Sequence, residues 1–317
     1  MGLPEKLRTA AVPRLGLGLA ALGRPAYITL GRAADLGDER TVELMEARTH
    51  EVLDAAWDAG IRYFDAARSY GYSERFLGEW FAARPGRREQ CVVGTKWGYR
   101  YVGDWRMDAP VHEVKEHSAA MFDVQWPETL AALGGRPDVY NVHSVTPDSP
   151  ALSDPELLAR FRELVASGVR VGFSTSGPRQ GDAIDAALAI PDSPFSVAQS
   201  TWNALEPSAG PALARAHEAG WLVVIKEAVG NGRLTAHGDE EAAFALAAAD
   251  GQSPDAHAIG WALCQPFVDV VLSGAVTVDQ LGSNLRARTP ATPDEDLEDL
   301  AEPPEQYWAE RAALPWS

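Results

Sequence analysis

Eight short apolar runs, separated by stretches of helical periodicity, constrain this chain more than any other feature. They centre near residues 17, 63, 93, 141, 172, 198, 223 and 270. Between them, apolar side chains recur at helical spacing. Val52, Leu53, Ala56 and Trp57 form a stripe that stops at Gly60, and Phe76, Leu77, Trp80 and Phe81 form the next. Leu157, Leu158, Phe161 and Leu164 form another that stops at Gly168. Further helices are expected over 111–133, interrupted at Pro127, and over 180–190, 211–219, 240–250, 253–265 and 278–286. The stretches 23–38 and 98–108 read as loops. This βα alternation predicts an α/β fold, a (β/α)8 TIM barrel, as a single domain over 1–317. The tail, 289–317, is rich in Pro, Glu and Asp and carries Trp308 and Trp316. It either drapes over one barrel end or hangs loose. A doubly wound sheet is the rival fold. It wants a phosphate-binding glycine turn after the first strand, and in the LGLGL segment with Gly16 and Gly18 the third glycine of that fingerprint is replaced by Ala21.

The formal net charge is −17, which argues against nucleic acid as a partner, because phosphates need a positive footprint. No apolar run approaches the ~18 residues of a membrane span. The N-terminal MGLPEKLRTAAVPR lacks an apolar signal core, so a cytoplasmic location is expected. Lys6 stands where a myristoylation motif wants Ser or Thr. Cys91 and Cys264 fall in core-like patterns and read as buried free thiols.

Four chemically able residues follow the second, third and fourth runs. Asp65 ends the second, Tyr70 lies in the loop after it, Lys96 follows the third and His143 ends the fourth. In a parallel barrel these ends share one face, so the four groups converge. The lysine is one of only four, with Lys6, Lys115 and Lys226, which sets it apart from surface decoration. Singly, each residue has a structural reading: a turn cap, a loop aromatic, a solvated strand end, a core imidazole. Together they suit proton transfer to a carbonyl oxygen. A phenol with a pKa near 10 is a poor acid or base alone. A neighbouring ammonium lowers that pKa, a carboxylate holds the ammonium, and an imidazole orients the carbonyl. The set contains no acyl-transfer nucleophile and no metal cage, so no metal is expected. Hydride from a nicotinamide is the natural companion chemistry.

The segments IRYFDAARSYG, VGTKWG and YNVHS, in this order on an eightfold βα pattern, resemble the aldo-keto reductase superfamily over residues 12–290. The resemblance implies an NAD(P)-dependent oxidoreductase that interconverts a carbonyl and its alcohol. Tyr70 would be the general acid/base, tuned by Lys96 and Asp65, with His143 orienting the substrate. It also implies cofactor contacts. Ser174, with Thr175 where the family has Asn, and Gln199 would hold the nicotinamide amide. After the seventh strand the family's stacking aromatic is absent, and the chain reads from Lys226 through Gly230, Gly232 and Arg233 to Leu234, a pyrophosphate loop by resemblance. Ser273, Gly274, Gln280 and Asn284 would border the adenosine. Relatives that prefer NADP often place Lys and Arg where Gly274 and Gln280 stand. Arg286 and Arg288 follow closely, and the superfamily's habit makes NADP the expected cofactor, with NAD as the alternative and weak discrimination between them. Trp97, Tyr99 and Trp202, with Tyr101 and Trp105, are candidate walls for a small carbonyl or alcohol substrate. Two other functions stay open: a barrel that binds NADP as a regulatory subunit, and a lyase or isomerase that recycles bound cofactor.

Overall fold

The computed structural model describes Leu7 and residues 14–291 and 294–316. Most of the N-terminal stretch read for targeting signals, Lys6 included, lies outside the described residues. Eight parallel strands close into a barrel: β1 (Leu15–Gly18), β2 (Tyr63–Asp65), β3 (Val92–Trp97), β6 (Val139–Val145), β7 (Arg170–Thr175), β8 (Phe195–Thr201), β9 (Leu222–Lys226) and β10 (Val270–Ser273). β10 pairs with β1 and closes the ring. The remaining strands, β4 (Tyr99–Tyr101) and β5 (Glu113–Lys115), form a separate antiparallel hairpin.

The outer layer comprises α2 (Val42–Asp58), α3 (Ser73–Ala82), α4 (Ala119–Leu133), α5 (Pro155–Ala166), α6 (Gln180–Leu188), α7 (Gly210–Glu218), α8 (Glu241–Ala249), α9 (Pro254–Cys264) and α10 (Val278–Asn284). A short α1 (Arg32–Leu36) precedes them, and α11 (Asp294–Glu298) and α12 (Pro304–Ala313) follow. Side-chain caps fix several starts: Ser118 accepts from the Met121 amide at 3.1 Å, Asp154 from Glu156 at 2.8 Å and Thr277 from Gln280 at 3.2 Å. Among the described residues no helix is long and apolar enough to cross a membrane.

The apolar periodicity assigned the barrel strands, because strands buried on both faces read as continuous apolar runs. One core lies between strands and helices, holding Phe64, Trp80, Trp97 and Phe161. A second fills the lumen with Leu7, Tyr63, Val92, Val139, Val197, Leu222, Val224, Val270 and Leu272. Gly16 belongs to this packing. A Cβ there would stand 2.9 Å from the Leu272 side chain and 3.1 Å from those of Tyr63 and Val270, so its glycine makes room inside the barrel.

Four local expectations are corrected. Residues 23–38 are not all loop, because Arg32–Leu36 forms α1. Residues 98–108 and 111–118 are neither all loop nor helix: they supply the β4–β5 hairpin, and α4 starts only at Ala119. Pro127 does not interrupt α4. It sits on the exposed face, where water can serve the carbonyl left without its N–H partner. Cys91 is buried as expected, but Cys264, at the end of α9, is exposed.

Candidate active site

Asp65, Lys96 and His143 stand at the C-terminal ends of β2, β3 and β6, and the loop after β2 brings Tyr70 among them. Lys96 Nζ forms an ion pair with Asp65 and donates to the Ala66 carbonyl at 3.1 Å; both side chains are buried. Gln199 Nε2, from β8, donates to the other Asp65 oxygen at 2.9 Å. Lys96 Nζ lies 4.8 Å from the Tyr70 ring centroid. The Tyr70 hydroxyl is 3.4 Å from His143 Nε2, and Ser69 Oγ is 3.3 Å from His143 Nδ1. Beyond His143, β6 shifts register, with Ser144 at φ +57°. A bulge at that point re-aims the strand end beside the site, and Ser174 Oγ accepts the Ser144 amide at 2.8 Å.

The electrostatics depart from expectation. The Tyr70 phenol is raised well above its ordinary value, first by burial and then by the Asp65 charge, against the pull of the Arg24 cation. His143 is held well below the usual imidazole range by burial and by Lys96, Arg24 and Lys226, so the ring is neutral. His117 fixes it from behind. Its Nε2 donates to the His143 carbonyl at 2.7 Å and its Nδ1 is 2.7 Å from Ser149 Oγ. Burial and Lys115 push His117 down to about 4.

A cavity of about 550 Å³ opens over these groups and continues to the segment after β10, a size typical of small-molecule and cofactor sites. Beside Tyr70 its walls are charged and aromatic. Arg24 donates to Glu113 at 2.7 Å and its guanidinium lies 4.9–5.0 Å from the rings of Tyr27, Tyr70 and Trp316. Tyr99 lies with its ring centroid 5.0 Å from that of His143. The tail is docked: Arg311 of α12 forks onto Glu227, and Trp316 stacks on His112 at 4.2 Å. The Thr201 hydroxyl links Glu227 and Lys226, at 2.6 Å to each. Burial drives Lys226 down to about 8. Sequence reasoning missed Arg24, Tyr27, Glu113, His117, Glu227 and Arg311. Their only signal was being charged or aromatic in loops and in the tail, and only tertiary closure brings them together.

Of the residues assigned to the cofactor, Gln199, Lys226, Gly232, Ser273, Gly274, Gln280 and Asn284 line the cavity; Ser174, Thr175, Gly230, Arg233 and Leu234 do not. Thr175 Oγ1 is engaged with Gln180 at 2.7 Å and Ser200 at 2.8 Å. Arg233 is spent on Glu240, Glu302 and Glu310, with Glu302 at 3.0 Å and Glu310 at 3.2 Å. Two features suit a long polar ligand. Among the described residues, Gly274 has no atom within 4 Å of where a side chain would begin, and buried Asn231 Oδ1, on the cavity wall, has no partner. Asn231 also bridges to the facing segment, donating to the Ile28 carbonyl at 2.8 Å and accepting the Leu30 amide at 2.9 Å. Trp97 and Trp202, expected as substrate walls, do not line this cavity. Trp97 packs on Phe122 and Phe161 between barrel and helices, and Trp202 packs on Trp261 and Phe267. Trp97 fills a core gap outside the cavity, and Trp202 borders a separate pocket of about 310 Å³ with Pro207, Pro211 and Phe267.

A (β/α)8 barrel with a phenol, an imidazole and a lysine–carboxylate pair at its C-terminal mouth defines a class of protein equipped for proton transfer beside a long cavity. Comparison with known proteins identifies the chain as a member of the Aldo/keto reductase family, matched over residues 14–303. It is 40% identical over 90 residues to pyridoxal 4-dehydrogenase from Microbacterium luteolum, covering 27% of this chain and 21% of that protein. It is 52% identical over 48 residues to D-threo-aldose 1-dehydrogenase from a Pseudomonas species, covering 14% of each. The matches thus span about a fifth or less of those relatives' lengths. The holo form of an aldo-keto reductase from Bacillus halodurans superposes with a TM-score of 0.68 at 21% identity, over 94% of this chain and 95% of that one, which shows the shared fold.

Proposed function

We propose that this protein is a nicotinamide-dependent oxidoreductase that interconverts a small carbonyl compound and its alcohol. One observation carries the reading: the Tyr70 hydroxyl, within 3.4 Å of a neutral His143, opens onto a cavity that also reaches Ser273, Gln280 and Asn284. The cofactor, when bound, supplies or accepts hydride. Gln199, Ser273, Gly274, Gln280 and Asn284 would line its site. Tyr70 gives its proton to the carbonyl oxygen during reduction and recovers it during oxidation. His143 Nε2–H then donates to the Tyr70 oxygen while Ser69 donates to Nδ1, which leaves the phenolic proton free for substrate. Lys96, pinned by Asp65, places positive charge beside the ring, so negative charge that develops on Tyr70 is stabilised.

The walls beside Tyr70 favour a hydroxylated carbonyl over an apolar one. An apolar substrate would strip the Arg24–Glu113 pair of its remaining water without replacing those hydrogen bonds, whereas hydroxyl groups would replace them. The names of the two curated relatives, for pyridoxal and for a D-threo-aldose, agree with this. The test is turnover by the purified protein with both nicotinamides, across sugars, hydroxylated aldehydes and apolar aldehydes of matched size. Cofactor binding without turnover on any carbonyl would instead favour a regulatory barrel.

A further inference from the structure

The end of the cavity away from Tyr70 carries the opposite charge from its mouth. Asp35, Asp255 and Asp279 line it, on α1, α9 and α10. Asp35 is held in place: Gln280 Nε2 donates to its Oδ2 at 2.6 Å, and His237 Nε2 stands 3.5 Å from its Oδ1. Asp255 accepts from Asn284 Nδ2 at 2.7 Å, and the Ser273 hydroxyl donates to Asn284 at 2.6 Å. Among the described residues, the lining lysine and arginines that could offset this charge are committed elsewhere. Arg24, Lys226 and Arg311 lie at the Tyr70 end, with Glu113, Thr201 and Glu227 as partners. The Arg32 guanidinium is folded onto the carbonyls of Ala21, Arg24 and Pro25. Arg288 does not line the cavity, and its guanidinium donates to the carbonyls of Asp250 and Gly251.

Resting on the reading just given, we propose that the protein selects NAD over NADP, and that Asp35, positioned by Gln280, is the selecting group. Hydride transfer must occur beside Tyr70, so the nicotinamide lies at that end and the adenosine at the Asp35 end. The two cofactors differ there alone, by a 2′-hydroxyl or a 2′-phosphate. A carboxylate accepts a hydrogen bond from a ribose hydroxyl, the arrangement by which other dinucleotide folds hold NAD. Against a phosphate dianion the same carboxylate is a like charge in a partly closed site, and among the described residues no lining arginine is free to offset it with a fork. Gly274 and Gln280, where NADP would need cations, are neutral. This proposal departs from the sequence expectation of NADP with weak discrimination.

The test is a binding titration of the full chain with NADH and with NADPH, without carbonyl substrate, read by quenching of protein fluorescence. NADH should bind at least about tenfold more tightly at low salt, and the ratio should shrink as salt screens the repulsion. Asp35→Asn should bring the two affinities together, and Gly274→Lys with Gln280→Arg should invert them. Equal or tighter NADPH binding by the wild type would overturn the proposal, as would an unchanged ratio in a folded Asp35→Asn protein that binds NADH. Failure to bind either dinucleotide would defeat the oxidoreductase reading itself, a different outcome from a reversed ratio.

Discussion

The Tyr70 hydroxyl stands 3.4 Å from Nε2 of His143, while the His143 carbonyl takes the Nε2–H of His117 at 2.7 Å. The phenol is therefore held at the cavity wall through two imidazoles from two different segments. Replacing it by Phe keeps the ring that fills the site and removes the proton. Tyr70→Phe should lower kcat by about 10² to 10⁴ while the dissociation constant for NADH changes less than about twofold. Steady-state rates and a binding titration on the same preparation check this. Undiminished turnover would remove Tyr70 from the chemistry.

The charge states set the pH behaviour. Burial and Asp65 raise the Tyr70 phenol and burial lowers His143, so between about pH 7 and about 9.5 neither should change protonation. Reduction, which needs the phenol, should not lose rate to Tyr70 in that window. Oxidation, which needs the phenolate, should climb with pH. Two described lining groups have values lowered into that window, Lys226 at about 8 and Arg32 at about 9, both chiefly by burial. Any inflection near pH 8 in kcat/KM should vanish in Lys226→Met. An inflection that persists in that variant would belong to another group.

Lys96 and Asp65 are a buried pair, and one partner without the other is a buried, uncompensated charge. Lys96→Met should cost about 3 to 5 kcal/mol of stability as well as activity. Adding Asp65→Asn should recover most of the stability, since Gln199 can still hydrogen-bond an amide, but none of the activity. Denaturation midpoints of the three variants decide it. A double variant no more stable than Lys96→Met would show that charge desolvation is not the cause.

The barrel was legible in the chain because its strands are short, apolar and regularly spaced, a signal that survives without any partner in view. Three of the four central residues come together because strand ends are ordered by the barrel itself; Tyr70 follows from its five-residue loop. What stayed hidden depends on contacts between distant segments. The β4–β5 hairpin pairs Tyr101 with Glu113, and no local pattern marked either strand. Arg24, Asp35 and Arg311 reach the cavity from a loop, a five-residue helix and the tail, where polar sequence carries no periodicity. Trp97 and Trp202 misled because an aromatic near a strand end fills core or lines a pocket equally well until its rotamer is known.

His117 ties acid stability to the site. Its folded pKa, about 4, lies below the ordinary histidine value. Stability should be full above about pH 6.5 and fall toward pH 4, because the unfolded chain takes up a proton that the folded chain refuses. The full span corresponds to about 3 kcal/mol as an upper figure. His117→Asn should remove up to one proton from the dependence of unfolding free energy on pH between those limits. Identical slopes for wild type and variant, measured by urea denaturation, would exclude His117 as the source.

The tail was expected either to drape or to hang loose, and the Arg311–Glu227 fork docks it. Glu227 adopts φ +57° and is buried, and its carboxyl is held below the usual range despite burial, chiefly by Arg311 and Lys226. Arg311→Met removes its strongest partner. Stability should drop by about 3 kcal/mol, and amides of α12 should lose hydrogen-exchange protection first, since the helix covers the barrel through few other polar ties. Because a carboxyl with a lowered pKa stabilises only while ionised, the wild type should lose this contribution as pH falls below about 4.3, the unfolded value. Arg311→Met should show a shallower acid slope. Full protection of α12 in Arg311→Met would mean that Tyr307 and Trp308, packed in the core, hold the tail without the ion pair.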